Sequence, residues 1–479
     1  MIFLHKKGLL VLFTGMCLHT SVHAQSTPRI HAVTDLSHAF SFYTDGRFGT
    51  QYLQGQPCVA NWGNLYDFDF SGANLLVLLG CDDRSPYTEK DFQTVENFAR
   101  QGGAVLILGS TGGRSQNQLA GRFGAAFAKT TKDRLVSPLQ SASVQSQGDA
   151  VVLSLQKKST WKPVVTTIRQ ETVLASRKFG KGTIIVGSRT LAGSHPNASD
   201  SINTALWRAV LKTAVKGKKL PADAQLQGSG WGNLGNTLKS ASGLSISYTD
   251  YLAPYAKAMA DISSRCMPVI ERRMGVPLSG SMGSNILLLA TDGGGFSSGE
   301  TIALAVWWGG FPDREDSMIE FITHESVHSW VLPFPEIWNE PIATYVGDLV
   351  MADMEHSDEA KKRIAACIDR ARKADPNFDL YDINGKSCKP GVAPLPDHQV
   401  NDVHWGKTFW IFEQLRKDCP DFLARYFRAK RKHARPDVLG KYGADNTVAV
   451  LSVALERDLF PWFRSIGFDV DRNRADIKF

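Results

Sequence analysis

The sequence predicts a two-part chain: an α/β module built on a parallel sheet, then an α+β domain with a small sheet and a helical lobe. Three observations lead there. Continuous apolar runs alternate with amphipathic helical patterns up to about Lys216. A stretch rich in Gly, Ser, Asn and Gln follows, and from Ser317 onward helical spacing dominates. Strand-helix-strand units imply a parallel sheet with helices on its faces, and a few strands followed by many helices imply an α+β domain. The 479 residues are 43% apolar and 21% charged, enough for ordinary cores in two to three domains of about 150 residues each. Lys and Arg number 54 against 47 Asp and Glu, and there is no long basic run, so nothing points to nucleic acid as a partner.

The first segment reads as a signal peptide. Lys6 and Lys7 form a positive start, Gly8 to Leu18 a short apolar stretch, and Val22-His23-Ala24 a small-residue cleavage site. We expect residues 1–24 to be removed, with cleavage between Ala24 and Gln25, and the protein to be exported to the periplasm or beyond. The apolar stretch is too short to span a bilayer, and no later run approaches the roughly 20 residues a membrane helix needs. Met16 precedes Cys17 where a lipoprotein signal wants a small residue. Six cysteines remain: Cys58, Cys81, Cys266, Cys367, Cys388 and Cys419. An even count in an oxidising compartment permits disulfides, with Cys58–Cys81, Cys367–Cys388 and Cys266–Cys419 as the expected pairs. Buried thiols are the alternative. No CxxC occurs, so a cysteine metal site is not indicated.

Residues 28–216 form the α/β module. Asn74 to Gly80 is a continuous apolar run, as in a strand buried on both faces. Thr88 to Gln101 has helical spacing at Phe92, Val95, Phe98 and Ala99, and Gly102-Gly103 ends it. Ala104 to Leu108 and Thr183 to Val186 are further buried strands, and Thr204 to Val215 is an amphipathic helix. These patterns resemble the glutamine-amidotransferase-like α/β module found ahead of some exported bacterial enzymes. That family's nucleophile would be a Cys on a sharp strand-to-helix turn. Here the Ala104–Leu108 strand leads into Gly109-Ser110-Thr111-Gly112, with no Cys. Cys81 follows another strand but lacks evident His and Glu partners, so the module is expected to be non-catalytic.

Residues 217–238 read as a linker. The second domain, 239–479, opens with a long helical pattern over Tyr251 to Met274. Asn285 to Ala290 and Thr301 to Trp308 read as strands. The informative stretch is His324-Glu325-Ser326-Val327-His328, preceded by helical apolar spacing at Met318, Ile319, Phe321 and Ile322. Residues four apart on a helix share a face, so His324 and His328 can ligate one zinc ion. Glu325, at the edge of that face, is placed as a general base toward water.

A catalytic zinc needs a third protein ligand. A third His on the HExxHxxGxxH pattern is ruled out, because Val331 and Phe334 stand where it needs Gly and His. Glu340 fits instead, separated from His328 by eleven residues, after the Pro333-Phe334-Pro335 turn. Pro341 is tolerated only near a helix start, which places Glu340 in a first turn. Glu336 is the competing ligand. The expected cofactor is one Zn2+ per chain.

His324, Glu325, His328 and Glu340 resemble the gluzincin metallopeptidases, and within them the M60-like (enhancin-type) peptidases. The closing stretch, Leu455 to Phe468, is similar to that family's C-terminal end. The resemblance spans about 240 residues from Lys239. It implies peptide-bond hydrolysis with a protein or glycoprotein substrate, especially mucin-type chains bearing O-linked sugars. It also suggests His404 as the donor to the oxyanion, on a His404-Trp405-Gly406-Lys407 turn opening a helix over Thr408 to Leu415. Tyr345 and His398 are alternatives. Thr301 to Trp308 would be the edge strand that pairs with substrate, with Gly309-Gly310 permitting close approach. Trp307, Trp308, Trp330 and Trp338 are either core or sugar platforms. Two other readings stay open: an aminopeptidase, with Glu300 recognising the substrate amine, and a binding or adhesion protein without a working metal.

Overall fold

The structure, a computed structural model, describes residues 29–39, 52–53, 55–192, 203–230, 233–278, 282–331, 334, 336–435 and 442–478. The expected signal peptide and its cleavage site lie outside these residues. The chain divides into two compact units, 1–235 with 249–251, and 236–248 with 252–479. The expected linker therefore ends a few residues earlier than residue 238. Its last part is already a strand of the second unit.

The first unit carries a mixed nine-stranded sheet. Its parallel part is β1 (Ala32–Asp35), β2 (Cys58–Asn61), β3 (Leu75–Leu78), β4 (Ala104–Gly109) and β11 (Gly182–Ser188), in the order β2-β1-β3-β4-β11. Four antiparallel strands extend it beyond β11: β10 (Thr172–Phe179), β9 (Lys162–Thr167), β6 (Leu135–Ser137) and β7 (Gln140–Val144). β5 (Ala125–Thr131) and β8 (Ala150–Leu155) form a separate antiparallel pair. The sheet is thus parallel only in part. β3, β4 and β11 are buried along their length, as their apolar runs require. Helix α1 (Glu89–Arg100) starts with a capping box between Thr88 and Asp91 and buries Phe92, Val95, Phe98 and Ala99. α2 (Arg114–Arg122) and α3 (Thr204–Ala214) complete the unit's helices among the described residues.

Cys81 follows β3, as expected, and its thiol is engaged locally. Burial pushes its thiol up to about 12, and it donates to the carbonyls of Asp82 and Ser85. The buried His38 turns elsewhere: its Nδ1 lies 2.8 Å from Asp35 and its Nε2 3.6 Å from Asp91. Cys81 should therefore resist iodoacetamide in the native protein and react fully in denaturant, as mass spectrometry would show.

The second unit carries a five-stranded sheet, ordered β12 (Asn236–Lys239), β13 (Ser245–Tyr248), β14 (Asn285–Leu289), β16 (Thr301–Ala305) and β15 (Gly295–Ser297). Thr301 to Ala305 is therefore an interior strand, parallel to β14 and antiparallel to β15. The edge is β15. Its short Gly-Phe-Ser sequence gives no alternation by which to find it.

Helices make up the rest. α4 (Ala253–Met274) ends at Gly275, whose φ of +67° and close approach to Ala424 both exclude a side chain. α5 (Glu315–Trp330), α6 (Asn339–Met351) and α7 (Ser357–Ala374) follow. α8 (Asp397–Asp418), α9 (Phe422–His433), α10 (Ala444–Leu455) and α11 (Phe460–Ser465) close the chain. Trp307, Trp330 and Trp338 are buried in this core and are not sugar platforms. Trp308 is half-buried and stacks on Phe321 at 4.5 Å. Gly309 and Gly310 both have positive φ, and a side chain at Gly309 would strike Ser317. The turn itself, rather than substrate, accounts for that pair.

All six described cysteines are free thiols. The three expected disulfides are not formed. Cys266 lies 3.7 Å from the Met354 sulfur, Cys388 donates to the Gly467 carbonyl at 3.0 Å, and Cys419 to Asp421 at 3.1 Å. Each thiol is packed into its own surroundings, which the parity of the count could not reveal. Among the described residues no helix is long and apolar enough to cross a membrane.

Candidate metal centre

The HExxH stretch lies on α5 as its spacing requires. His324, Glu325 and His328 occupy its second half, and Glu340 falls in the first turn of α6. The two helices run antiparallel and touch along matching faces. At one end, a Cβ on Gly347 would lie 2.9 Å from the Glu320 carbonyl oxygen, so only glycine lets the backbones approach there. In the middle, Thr344 Oγ1 meets His324 Nδ1 at 3.1 Å. Nearest the connecting turn, Asn339 Oδ1 meets His328 Nδ1 at 3.2 Å.

His324, His328 and Glu340 form a group able to hold a metal ion, with their ligand atoms all within 4.8 Å of one another. The two Nε2 atoms are 3.3 Å apart, and Glu340 Oε2 is 3.4 Å from His324 Nε2 and 3.8 Å from His328 Nε2. Tetrahedral zinc with ligands at about 2.0–2.1 Å separates neighbouring ligand atoms by about 3.3–3.4 Å. The donor set fits that spacing.

The hydrogen bonds behind the donors point the same way. Thr344 donates its proton to the Glu340 carbonyl at 3.2 Å and receives the Trp405 indole N–H at 3.4 Å. Its hydroxyl has one proton to give, so toward His324 Nδ1 it can only accept. The Asn339 amide nitrogen donates to Glu340 Oε1 at 3.2 Å, which turns its oxygen to His328. Both imidazoles are thus protonated at Nδ1 in their neutral form and present lone pairs at Nε2. Two lone pairs and a carboxylate facing one point favour a cation there. His324 shows this: burial opposes its charge, but hydrogen bonding to Glu340 and the fields of Glu325 and Glu320 outweigh burial and raise it to about 9.

Glu325 is buried, and burial pushes its carboxyl up to about 7. A Cβ on Gly295 would come within 3.0 Å of its Oε1. The edge strand β15 therefore passes directly over this carboxylate.

Glu336, the competing ligand, is engaged elsewhere. It is buried, pairs with Lys430, and accepts the Tyr426 hydroxyl at 2.7 Å. Tyr345 is also withdrawn, its hydroxyl donating to Glu413 at 2.6 Å. His398 is exposed near the start of α8. His404 is not on a turn before a helix but well inside α8. Its Nε2 is buried with no hydrogen-bond partner among the described residues, and burial pushes it down to about 4 despite the field of Glu340. Glu300 is exposed. Thr344, Asn339 and Gly295 were missed by the sequence reading. Asn339 beside Glu340 and Thr344 one turn later were the available signal.

No family model matches the chain, and no curated protein matches it. Solved structures give partial likenesses. An exo-β-1,4-mannosidase from Opitutaceae bacterium strain TAV5 aligns at 12% identity over 38% of this chain and 35% of that one, with a TM-score of 0.27. A GH42 β-galactosidase from G. stearothermophilus aligns at 14% identity over 39% and 30%, with a TM-score of 0.26. A cytoplasmic protein from Salmonella typhimurium aligns at 9% identity over 39% of this chain and 99% of its own, with a TM-score of 0.27. The aligned region thus spans about a third of each glycosidase.

Proposed function

We propose that the chain is an exported zinc-dependent peptidase of the M60-like kind. It hydrolyses peptide bonds in glycoproteins, with O-glycosylated mucin-type chains as the substrate class. One observation carries the reading: the donors of His324, His328 and Glu340 converge at tetrahedral spacing, with the Glu325 carboxylate beside them on the same helix. A carboxylate in that position has a use in hydrolysis and none in a purely structural site. Zn2+, when bound, supplies Lewis-acid polarisation of the scissile carbonyl and acidifies water.

The chain's own residues do the remainder. β15 offers an edge along which an extended substrate can pair, and Gly295 leaves room between that backbone and Glu325. Glu325 takes the proton from the attacking water and passes it to the leaving amine nitrogen. A neutral His404 donates to the oxygen that becomes negative, its buried Nε2 being otherwise unused among the described residues. Replacing His404 by Ala should lower kcat by roughly 10²–10³ and leave KM nearly unchanged, as steady-state kinetics would show.

The test uses mature protein, an O-glycosylated mucin and its deglycosylated form. New amino termini from the glycosylated chain support the reading, and loss of cleavage on the bare chain adds the sugar requirement. Release of sugar with an intact polypeptide would sink it.

A further inference from the structure

We infer that two cations, the buried Lys430 and the half-buried Arg363, are positioning residues for the metal centre, holding opposite ends of the α5/α6 pair so that the three donors converge. The inference rests on the metal-centre reading of His324, His328 and Glu340, and not on the peptidase reading.

Lys430, on α9, is fully buried. An ammonium group has three N–H donors, and this one uses all of them: on the Val331 carbonyl, on the Phe334 carbonyl at 2.6 Å, and on the Glu336 carboxylate. Val331 caps the C-terminus of α5, three residues beyond His328. Phe334 and Glu336 lie on the path from there to Glu340. Tyr426 binds the second Glu336 oxygen, and Tyr442 backs Tyr426 at 2.8 Å. One cation thus fixes both the end of the histidine helix and the segment that delivers the glutamate.

Arg363, on α7, does the same at the far end. Its Nη2 is 3.0 Å from Glu320 Oε2, and its Nε is 2.9 Å from Asp348 Oδ1. Glu320 stands one turn before His324 on α5, and Asp348 about two turns after Glu340 on α6. Both carboxylates are buried. Between the two cations the helices meet at Gly347, Thr344 and Asn339, and the donors lie along that seam.

A buried ion pair is poor evidence for stability, because desolvation offsets much of the attraction. Fixing the register of packed elements is its better-attested use. Here two unrelated cations, from two different helices, bracket the same three ligands, Lys430 at the end of α5 and the segment leading to α6, and Arg363 across both helices. Sub-ångström drift of α6 along α5 would separate Glu340 from the imidazoles, and the cations oppose that drift from both sides.

The test is the Zn2+ affinity of the full mature chain, measured by chelator competition well below any melting temperature. The cobalt(II) absorption spectrum serves as a second readout of tetrahedral geometry. Lys430→Met and Arg363→Met should each weaken Zn2+ about tenfold or more and diminish the tetrahedral cobalt bands. Ile246→Ala, a core change in β13, lowers stability without touching either cation and should bind Zn2+ as wild type does. Arg363→Lys keeps the charge but not the fork, should fall between, and serves if a methionine variant fails to fold. Wild-type affinity and spectrum in the methionine variants would overturn the inference. So would an equal loss in Ile246→Ala, since general loosening would then explain the effect. If the wild type takes up no Zn2+, the metal-centre reading fails and takes this inference with it. If it binds Zn2+ but cleaves nothing, the peptidase reading fails alone.

Discussion

Replacing Glu325 by Ala is expected to abolish peptide cleavage and to leave the bound metal in place. The carboxylate is buried on α5 between the two imidazole ligands in sequence, yet it is not one of the three converging groups. Removing it deletes the proton acceptor without deleting a donor to the ion. Loss of a general base lowers kcat by about 10²–10⁴. Glu325→Gln should do nearly the same, since the amide keeps the shape and cannot accept the proton. The measurement is kcat beside metal content on the same preparations. Loss of zinc together with activity would mean that Glu325 serves the ion, and the assigned roles would be wrong.

The second large effect concerns the metal itself. Removing it with a chelator should eliminate activity and lower the melting temperature of the folded chain, and Zn2+ should restore both. A ligand that binds only the native state stabilises it by about 4 kcal/mol at a thousandfold excess over its Kd. In a unit of this size that corresponds to a shift on the order of 10 °C. The helices that carry the donors are packed into the core of the second unit, so chelation should leave the far-ultraviolet circular dichroism at low temperature unchanged. His328→Ala should melt at the chelated temperature with or without added Zn2+. A melting temperature indifferent to both chelator and zinc would contradict this account.

Much of the site was legible because its parts are local. The two His share a helical face by spacing alone, and Pro341 places Glu340 near a helix start. What could not be read depended on distant partners. Glu336 competes with Glu340 until Lys430, 94 residues away, claims it. Tyr345 was an open alternative until Glu413, 68 residues away, was seen to hold its hydroxyl. The edge strand was misplaced because Thr301–Ala305 has the apolar run of a strand, whereas the edge beside it is Gly295–Ser297, with no pattern at all.

In the first unit the parallel strands were legible as unbroken apolar runs. The antiparallel extension was not. β9 opens on Lys162-Pro163, and the second half of β5 is largely exposed, so neither gives a clean period of two. Cysteine parity suggested pairing, but pairing needs two thiols brought face to face. The fold instead leaves all six described thiols free. These are tertiary facts, and local pattern has no access to them.

The most direct test is the metal content of purified mature protein, wild type beside Glu325→Ala and a double variant of His324 and His328 to Ala. We predict about one zinc per chain in the first two and none in the third, with mucin cleavage by wild type alone. No zinc in the wild type after metal is supplied, or equal zinc in the double variant, would contradict the assignment of His324, His328 and Glu340 as the metal centre.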